Sequence, residues 1–226
     1  MAFETVPYVD FHTHQRVGGE CEVLNVDALD AEAIEWACVA GLPFSAGVHP
    51  WRADATEEQL RDACLRIEQC ALADGSVAIG ECGLDWVSNV AREVQMVVFE
   101  RQLELANRLS VPVVLHCVRA FEEVMSALKR KSVKRAVFHS FIGSVQQAER
   151  VVHEGYFCSF SPRSLASARA CEAIRGVAPS ALLIESDESA VPIAAVYERV
   201  AELRGCSIDE LRQIVYDNYK RLINND

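Results

Sequence analysis

Short β-rich runs alternate along the chain with longer stretches whose apolar residues recur at helical spacing. Eight runs carry the strand pattern: YVDFHTH (8–14), ECEVLNVD (20–27), PFSAGVHP (43–50), SVAIGECGLDW (76–86), VPVVLHCV (111–118), RAVFHSFI (135–142), YFCSFSPR (156–163) and ALLIESDE (181–188). Between them, TEEQLRDACLRIEQCALADG (56–75) opens on Thr56 as an N-cap and stops at Gly75. AREVQMVVFERQLELANRL (91–109) repeats Val94, Val97, Val98, Leu105 and Leu109 on a helical period. SIDELRQIVYDNYKRLI (207–223) sets Glu210 three residues after Ser207, a capping-box signal. Strands alternating with helices build a parallel sheet, and eight of them predict an α/β fold of the (β/α)8 TIM-barrel class. A single domain spanning 1–226 is expected. The interval from His14 to Glu22 is too short for a parallel crossover, which needs about a dozen residues. The barrel is therefore expected to be abbreviated or distorted near its first two strands.

Charge narrows the choice of partner. The formal net charge is −11, and the lysines are Lys129, Lys131, Lys134 and Lys220. Three of them fall in KRKSVKR (129–135), read as the solvated end of a helix. An acidic chain lacks the basic footprint of a protein that grips long duplexes by their phosphates. No run is long and apolar enough to cross a membrane, and MAFETVPYVDF lacks the pattern of a secretory signal. Nine cysteines stand singly, without C-x-x-C spacing, so no structural disulfide and a reducing, cytoplasmic setting are expected. No obligate protein partner is indicated.

The histidines carry the chemistry. Of six, His12, His14, His49, His116 and His139 lie near the C-terminal end of a predicted strand, and only His153 sits in a helical pattern. An isolated H-x-H is most simply a polar strand end. In a parallel barrel, however, the C-terminal strand ends form the catalytic face. Residues i and i+2 of a strand share a face, which aims His12 and His14 the same way. Glu81 ends SVAIGE and Asp187 ends ALLIESD; a carboxylate at the end of a buried strand needs a partner or a cation. Nitrogen and oxygen donors suit zinc, manganese, iron or magnesium. Four histidines and two carboxylates exceed what one catalytic ion usually takes, so two divalent ions are expected, with Glu81 as the bridge. Such a pair lowers the pKa of bound water and stabilises charge at the reacting centre. Asp187 would hold that water and accept its proton.

Taken in order, DFHTH (10–14), GVHPW (47–51), GECGLDW (80–86), VPVVLHC (111–117), FHSFIGS (138–144) and IESDES (184–189) resemble the TatD family of metal-dependent hydrolases. The likeness covers nearly the whole chain. It implies a TIM-type barrel, a divalent-metal centre (Zn, Mn or Mg) and phosphodiester hydrolysis, often as a DNase. By motif, His12 and His14 match the first metal pair, Glu81 the bridging glutamate, and His116 and His139 the histidines of the second metal. Asp187 matches the aspartate that ligates a metal and activates water. Asp85 resembles the family's GLD aspartate, which supports ligands from behind or caps its loop, and Asp10 is a further supporting carboxylate. His49 matches the GxHP histidine, which orients substrate phosphate or braces the site.

Three departures bear on substrate. Where the family commonly has H-S-R-D-A, this chain has HCVRA, so Val118 occupies the arginine position and Arg119 that of the acid. Phosphate contact would then fall to Arg119 or Arg163. The segment after Asp187 is short and runs directly toward a helix, and the N-terminal region is also short. The resulting expectation is a hydrolase of nucleic-acid ends or short oligonucleotides, with Trp51 and Trp86 as possible stacking surfaces. The alternatives are a small-molecule amide, ester or phosphate hydrolase and a non-catalytic metal-binding protein.

Overall fold

The computed structural model describes residues 6–19, 21–71 and 75–224. Glu20, which opens the second predicted strand, and residues 72–74, in the tail of the first predicted helix, lie outside them. Among the described residues, strands β1 (Val9–Thr13), β2 (Cys21–Asp27), β3 (Phe44–Gly47), β4 (Ser76–Asp85), β5 (Val113–Val118), β6 (Ala136–Phe138), β7 (Phe157–Phe160) and β8 (Leu182–Ile184) follow one another through the sheet in chain order. Helices α1 (Ala31–Ala40), α2 (Glu57–Cys70), α3 (Arg92–Leu109), α4 (Phe121–Arg130), α5 (Val145–His153), α6 (Pro162–Leu165), α7 (Ala168–Gly176), α8 (Ile193–Arg204) and α9 (Ile208–Asn224) alternate with them. The (β/α)8 class is the one the pattern predicted. Its abbreviation is where expected: the described residues between β1 and β2 form no helix. Several strands stop short of their apolar runs, β6 and β8 most of all.

The chain divides into two compact units, Leu24–Phe138 and Met1–Val23 with His139–Asp226. In the first, β2 to β6 pair in parallel, each strand beside the next. Two close approaches need glycine. A side chain on Gly47 would place its Cβ 2.7 Å from the Gly80 Cα, and one on Gly83 would lie 2.0 Å from the His116 carbonyl oxygen. Gly83 also has φ +147, which L side chains rarely adopt. Here β4 and β5 meet at a register that sets Gly83 beside His116. Helix α2 begins as predicted, with the Thr56 hydroxyl accepting from the Gln59 N–H at 3.2 Å and the Gln59 side chain accepting from the Thr56 N–H at 2.9 Å.

Two expectations about this unit change. Cys38 and Cys70 form a disulfide between α1 and α2, so the reading of nine single thiols is corrected. Their sequence separation is 32, and the C-terminal ends of consecutive helices, which follow parallel strands, bring together cysteines that no short motif would pair. Lys131, in the basic cluster, is held by Glu100 and Glu104 of α3, at 3.1 and 2.6 Å. That cluster, read as solvated, is partly an ion-pair network.

In the second unit, β7 and β8 pair in parallel and β1 joins them at its C-terminal end. The Asp187 N–H donates to the His12 carbonyl at 2.9 Å, and the His14 N–H donates to the Asp187 carbonyl at 3.2 Å. Buried Tyr197 of α8 accepts from the Val9 N–H at 3.1 Å and donates to the Val9 carbonyl at 3.0 Å, satisfying β1 from the helix side. Ser207 accepts from the Glu210 N–H at 3.2 Å and starts α9. His153 ends α5 as an exposed residue, remote from chemistry as predicted.

Candidate active site

Each unit gathers part of the predicted set at the C-terminal ends of its strands. In the unit built on β1, β7 and β8, His12 of β1 is fully buried, whereas His14, just past the strand, is half-exposed. The His12 ring centroid lies 4.5 Å from that of His139 and 5.2 Å from that of His14. One donor atom from each of His12, His139 and Asp187 falls within 4.8 Å of the others. His14 Nε2 is 3.6 Å from Asp187 Oδ1. Asp187 follows β8 with φ +58, a left-handed conformation that Asp tolerates better than most side chains. This turn presents its carboxylate to the histidines while its backbone zips to β1.

Behind His139 stands a residue the sequence reading passed over. Glu185 is fully buried; its Oε1 accepts from the Ser140 N–H at 2.7 Å and lies 3.3 Å from His139 Nδ1. A carboxylate on Nδ1 fixes the tautomer that leaves Nε2 with its lone pair. Asp10 is pushed up to about 6, because burial opposes its ionisation more than the Ser186 hydroxyl and the Ser186 N–H at 2.8 Å favour it. Through both groups of Ser186, Asp10 secures the segment that precedes Asp187.

In the unit built on β2 to β6, Glu81 and Asp85 of β4 meet His116 of β5 and His49, which follows β3. Their distances define a chain of hydrogen bonds. The Trp51 N–H donates to His49 Nδ1 at 3.2 Å, His49 Nε2 lies 3.1 Å from His116 Nδ1, and His116 Nε2 lies 3.2 Å from Asp85 Oδ2. The Trp51 indole N–H also reaches Asp85 Oδ2, at 2.7 Å. Burial opposes ionisation of Asp85, but the bonds from His116, the Trp51 indole and the Val87 N–H outweigh it. Together they hold the carboxyl well below the usual carboxylate range. With Asp85 ionised, His116 Nε2 donates to it, and Nδ1 lies only 2.5 Å from Glu81 Oε1. A proton or a divalent ion between these two atoms would satisfy both. A divalent ion fits, since the donors are one imidazole nitrogen backed by a carboxylate and one carboxylate oxygen.

Several supports here were not legible in the sequence. Gln95 and Gln102 of α3 are 1 % exposed on what otherwise reads as an apolar helix face. Gln102 accepts from the Val48 N–H at 2.8 Å and donates to the Val48 carbonyl at 3.0 Å, one residue before His49. Gln95 does the same for Asp85, at 2.8 and 3.0 Å. Asn25 of β2 accepts from the Glu81 N–H at 2.9 Å. A polar residue recurring seven positions apart within an apolar stripe was the available signal.

A sequence model of the TatD-related DNase family matches residues 29–224. The chain belongs to the TatD-related DNase family. Among its relatives, the deoxyribonuclease TATDN3 of Homo sapiens is 28 % identical over 198 residues, which cover 78 % of this chain and 72 % of that protein. The metal-dependent hydrolase YjjV of Escherichia coli is 32 % identical over 202 residues, covering 79 % of this chain and 75 % of that one. The crystal structure of YjjV superposes with a TM-score of 0.76 at 29 % identity, covering 89 % of this chain and 86 % of that chain. As a TatD-family member this chain is a hydrolase acting on ester bonds.

Set beside the TatD motifs, other predicted residues divide. Arg119 is exposed with φ +53 directly after β5, and among the described residues it shares no recorded hydrogen bond or ion pair with the histidines or carboxylates. Arg92 covers the Trp86 ring at 5.0 Å from its centroid, whereas Trp51 stays 58 % exposed beside His49 and His116. Cys82 and Cys117 are packing residues, and burial pushes the Cys117 thiol up to about 12.

Proposed function

We propose that this chain is a divalent-metal-dependent phosphoesterase acting on nucleic-acid ends or short oligonucleotides. The observation that carries the reading is the pair of donor groups. His12, His139 and Asp187 form one, with His14 3.6 Å from Asp187, and Glu81 and His116 the other; in each, a carboxylate stands behind a histidine (Glu185 behind His139, Asp85 behind His116). When bound, divalent ions supply positive charge for a developing oxyanion and acidify water. The chain's own residues do the rest. Asp187 receives the proton of the attacking water at its carboxylate, and Glu185 and Asp85 keep His139 and His116 in the tautomers that accept a cation. Trp51 offers an apolar face to the departing or retained nucleotide. DNase activity in TATDN3 supports the phosphodiester assignment, and the described residues include no helix long and apolar enough to cross a membrane. We place the protein in the cytoplasm, a reducing setting that seven cysteines held as thiols fit.

A second reading keeps the enzyme class and changes the substrate to a small amide, ester or phosphate. The net charge of −11 and the engagement of Lys131 with glutamates favour it. One experiment separates the two. Purified protein loaded with Mn²⁺, Mg²⁺ or Zn²⁺ is assayed on single-stranded oligonucleotides, simple phosphodiesters and N-acyl compounds. Release of mononucleotides is the expected result; turnover of N-acyl compounds without phosphodiester cleavage would overturn it.

A further inference from the structure

Seven of the nine cysteines are thiols, and Cys38 and Cys70 are joined. The two facts ask for different surroundings. So many thiols suit a reducing compartment, whereas a permanent disulfide suits an oxidising one. A bond that opens and closes reconciles them, because disulfides in reducing compartments are as a rule transient or redox-sensing. The neighbourhood of the pair suits such a bond. Cys38 is half-buried on α1, so its side of the bond is the one a small thiol reaches, while Cys70, at the end of α2, is buried. Cys70 Sγ lies 4.0 Å from the Ile34 carbonyl, an acceptor ready for the S–H once the bond opens. Ile34 and Ala37 of α1 and Ala63 and Ile67 of α2 bury apolar surface independently of the sulfurs, so both states keep the helices packed.

The bond also stands where it bears on the site. Shortly after Cys38, α1 ends at Gly41 in a left-handed conformation, and β3 begins at Phe44. Cys70 ends α2, and β4 begins at Ser76. The two segments meet again where the Phe44 N–H donates to the Gly75 carbonyl at 2.9 Å. Disulfide and hydrogen bond together frame the entries of β3 and β4, and β4 runs on to Glu81 and Asp85.

We propose that Cys38–Cys70 is a reversible redox site that sets how firmly β3 and β4 are held, and with them the Glu81–His116 donor group. It goes beyond the hydrolase reading and does not depend on it. The reactants are low-molecular-weight thiols of the glutathione class and their disulfides. A thiolate attacks Cys38 Sγ; the Cys38–Cys70 bond breaks, and Cys70 leaves as a thiolate that takes up a proton. A second thiolate attacks the small-molecule sulfur of the mixed disulfide. Cys38 is released and protonated in turn, and the two small thiols depart as their disulfide. Two electrons thus pass from the small thiols to the protein, and the small disulfide reverses the sequence. Closing an interval of 32 residues restrains the unfolded chain, which makes the oxidised form the more stable one.

The test counts thiols across a series of buffers from oxidised to reduced glutathione, by alkylation of the full chain and mass measurement. The count should be seven at the oxidised end and nine at the reduced end, and should return to seven on re-oxidation. A count held at seven throughout would make the bond permanent, one held at nine would deny it, and either overturns the proposal. By calorimetry the oxidised form should melt about 5–10 °C above the reduced form. Titration with Mn²⁺ should show tighter binding to the oxidised form. Cys38→Ser should match the reduced wild type in both measurements and ignore glutathione. Equal Tm and equal Mn²⁺ affinity in the two states, or a response that survives in Cys38→Ser, would overturn the assignment.

Discussion

At the scale of single residues, function depends on which nitrogen or oxygen is already spoken for. His12, His14, His116 and His139 differ little in sequence context from His49, yet partners on their rings assign them different work. The backbone bonds of Asp187 to His12 and His14 survive substitution by Asn, which also tolerates a left-handed backbone. Asp187→Asn should therefore fold normally and lower kcat by at least ~100-fold, the scale of a lost general base, in a steady-state assay with saturating Mn²⁺. Gln102 makes the contrasting case, since it touches no reacting group. Gln102→Leu would leave the buried N–H and carbonyl of Val48 without partners, at about 1–3 kcal/mol each. The expected result is a lower urea midpoint together with a fall in kcat as His49 loosens.

Elements set these residues side by side. Strand β4 brings Glu81 and Asp85 to His116 only because Gly83 lets it lie against β5 more closely than any side chain would allow. Gly83→Ala forces a Cβ into the His116 carbonyl at a backbone angle that alanine rarely adopts. Soluble protein, if obtained, should show a reduced Tm by calorimetry and weaker binding of Mn²⁺. Preserved Tm and preserved metal affinity would mean that the strand spacing does not matter to the donors. Much of this level was legible: helix α2 begins at its predicted cap, α3 at its predicted start, and β1, β4 and β5 end within one residue of their predicted runs, whereas β8 ends at Ile184. The β3 run misled in one respect. It reads as strand through Pro50, but β3 ends at Gly47, because Pro50 cannot donate a ladder bond and instead opens the 3-10 turn that His49 caps.

For the molecule as a whole, stability and metal binding are linked. Ions that bind the folded donors and not the unfolded chain add stability by mass action, about 2.7 kcal/mol at one hundred times the dissociation constant. Removal of divalent ions by EDTA should thus lower the Tm of metal-loaded protein, and restoring Mn²⁺ should recover it. A Tm indifferent to chelation would count against tight binding by either donor group. The net charge of −11 also makes a prediction plausible to check in the same preparation: oligonucleotide KM should depend far less on salt than for a basic nuclease.

The sequence by itself determined the α/β class, the missing crossover after β1 and the placement of His12, His14, His116, His139 and Asp187 near strand ends, whereas Glu81, read as ending its strand, lies inside β4. Those follow from local periodicity, and local periodicity is written in consecutive residues. Only the tertiary structure decided that Cys38 pairs with Cys70, that Gln95, Gln102 and Glu185 brace the site, and that His49 caps the turn Pro50–Arg52 beside His116. Each of these depends on a partner distant in the chain or on a local turn, and neither is encoded in the spacing of apolar and polar positions.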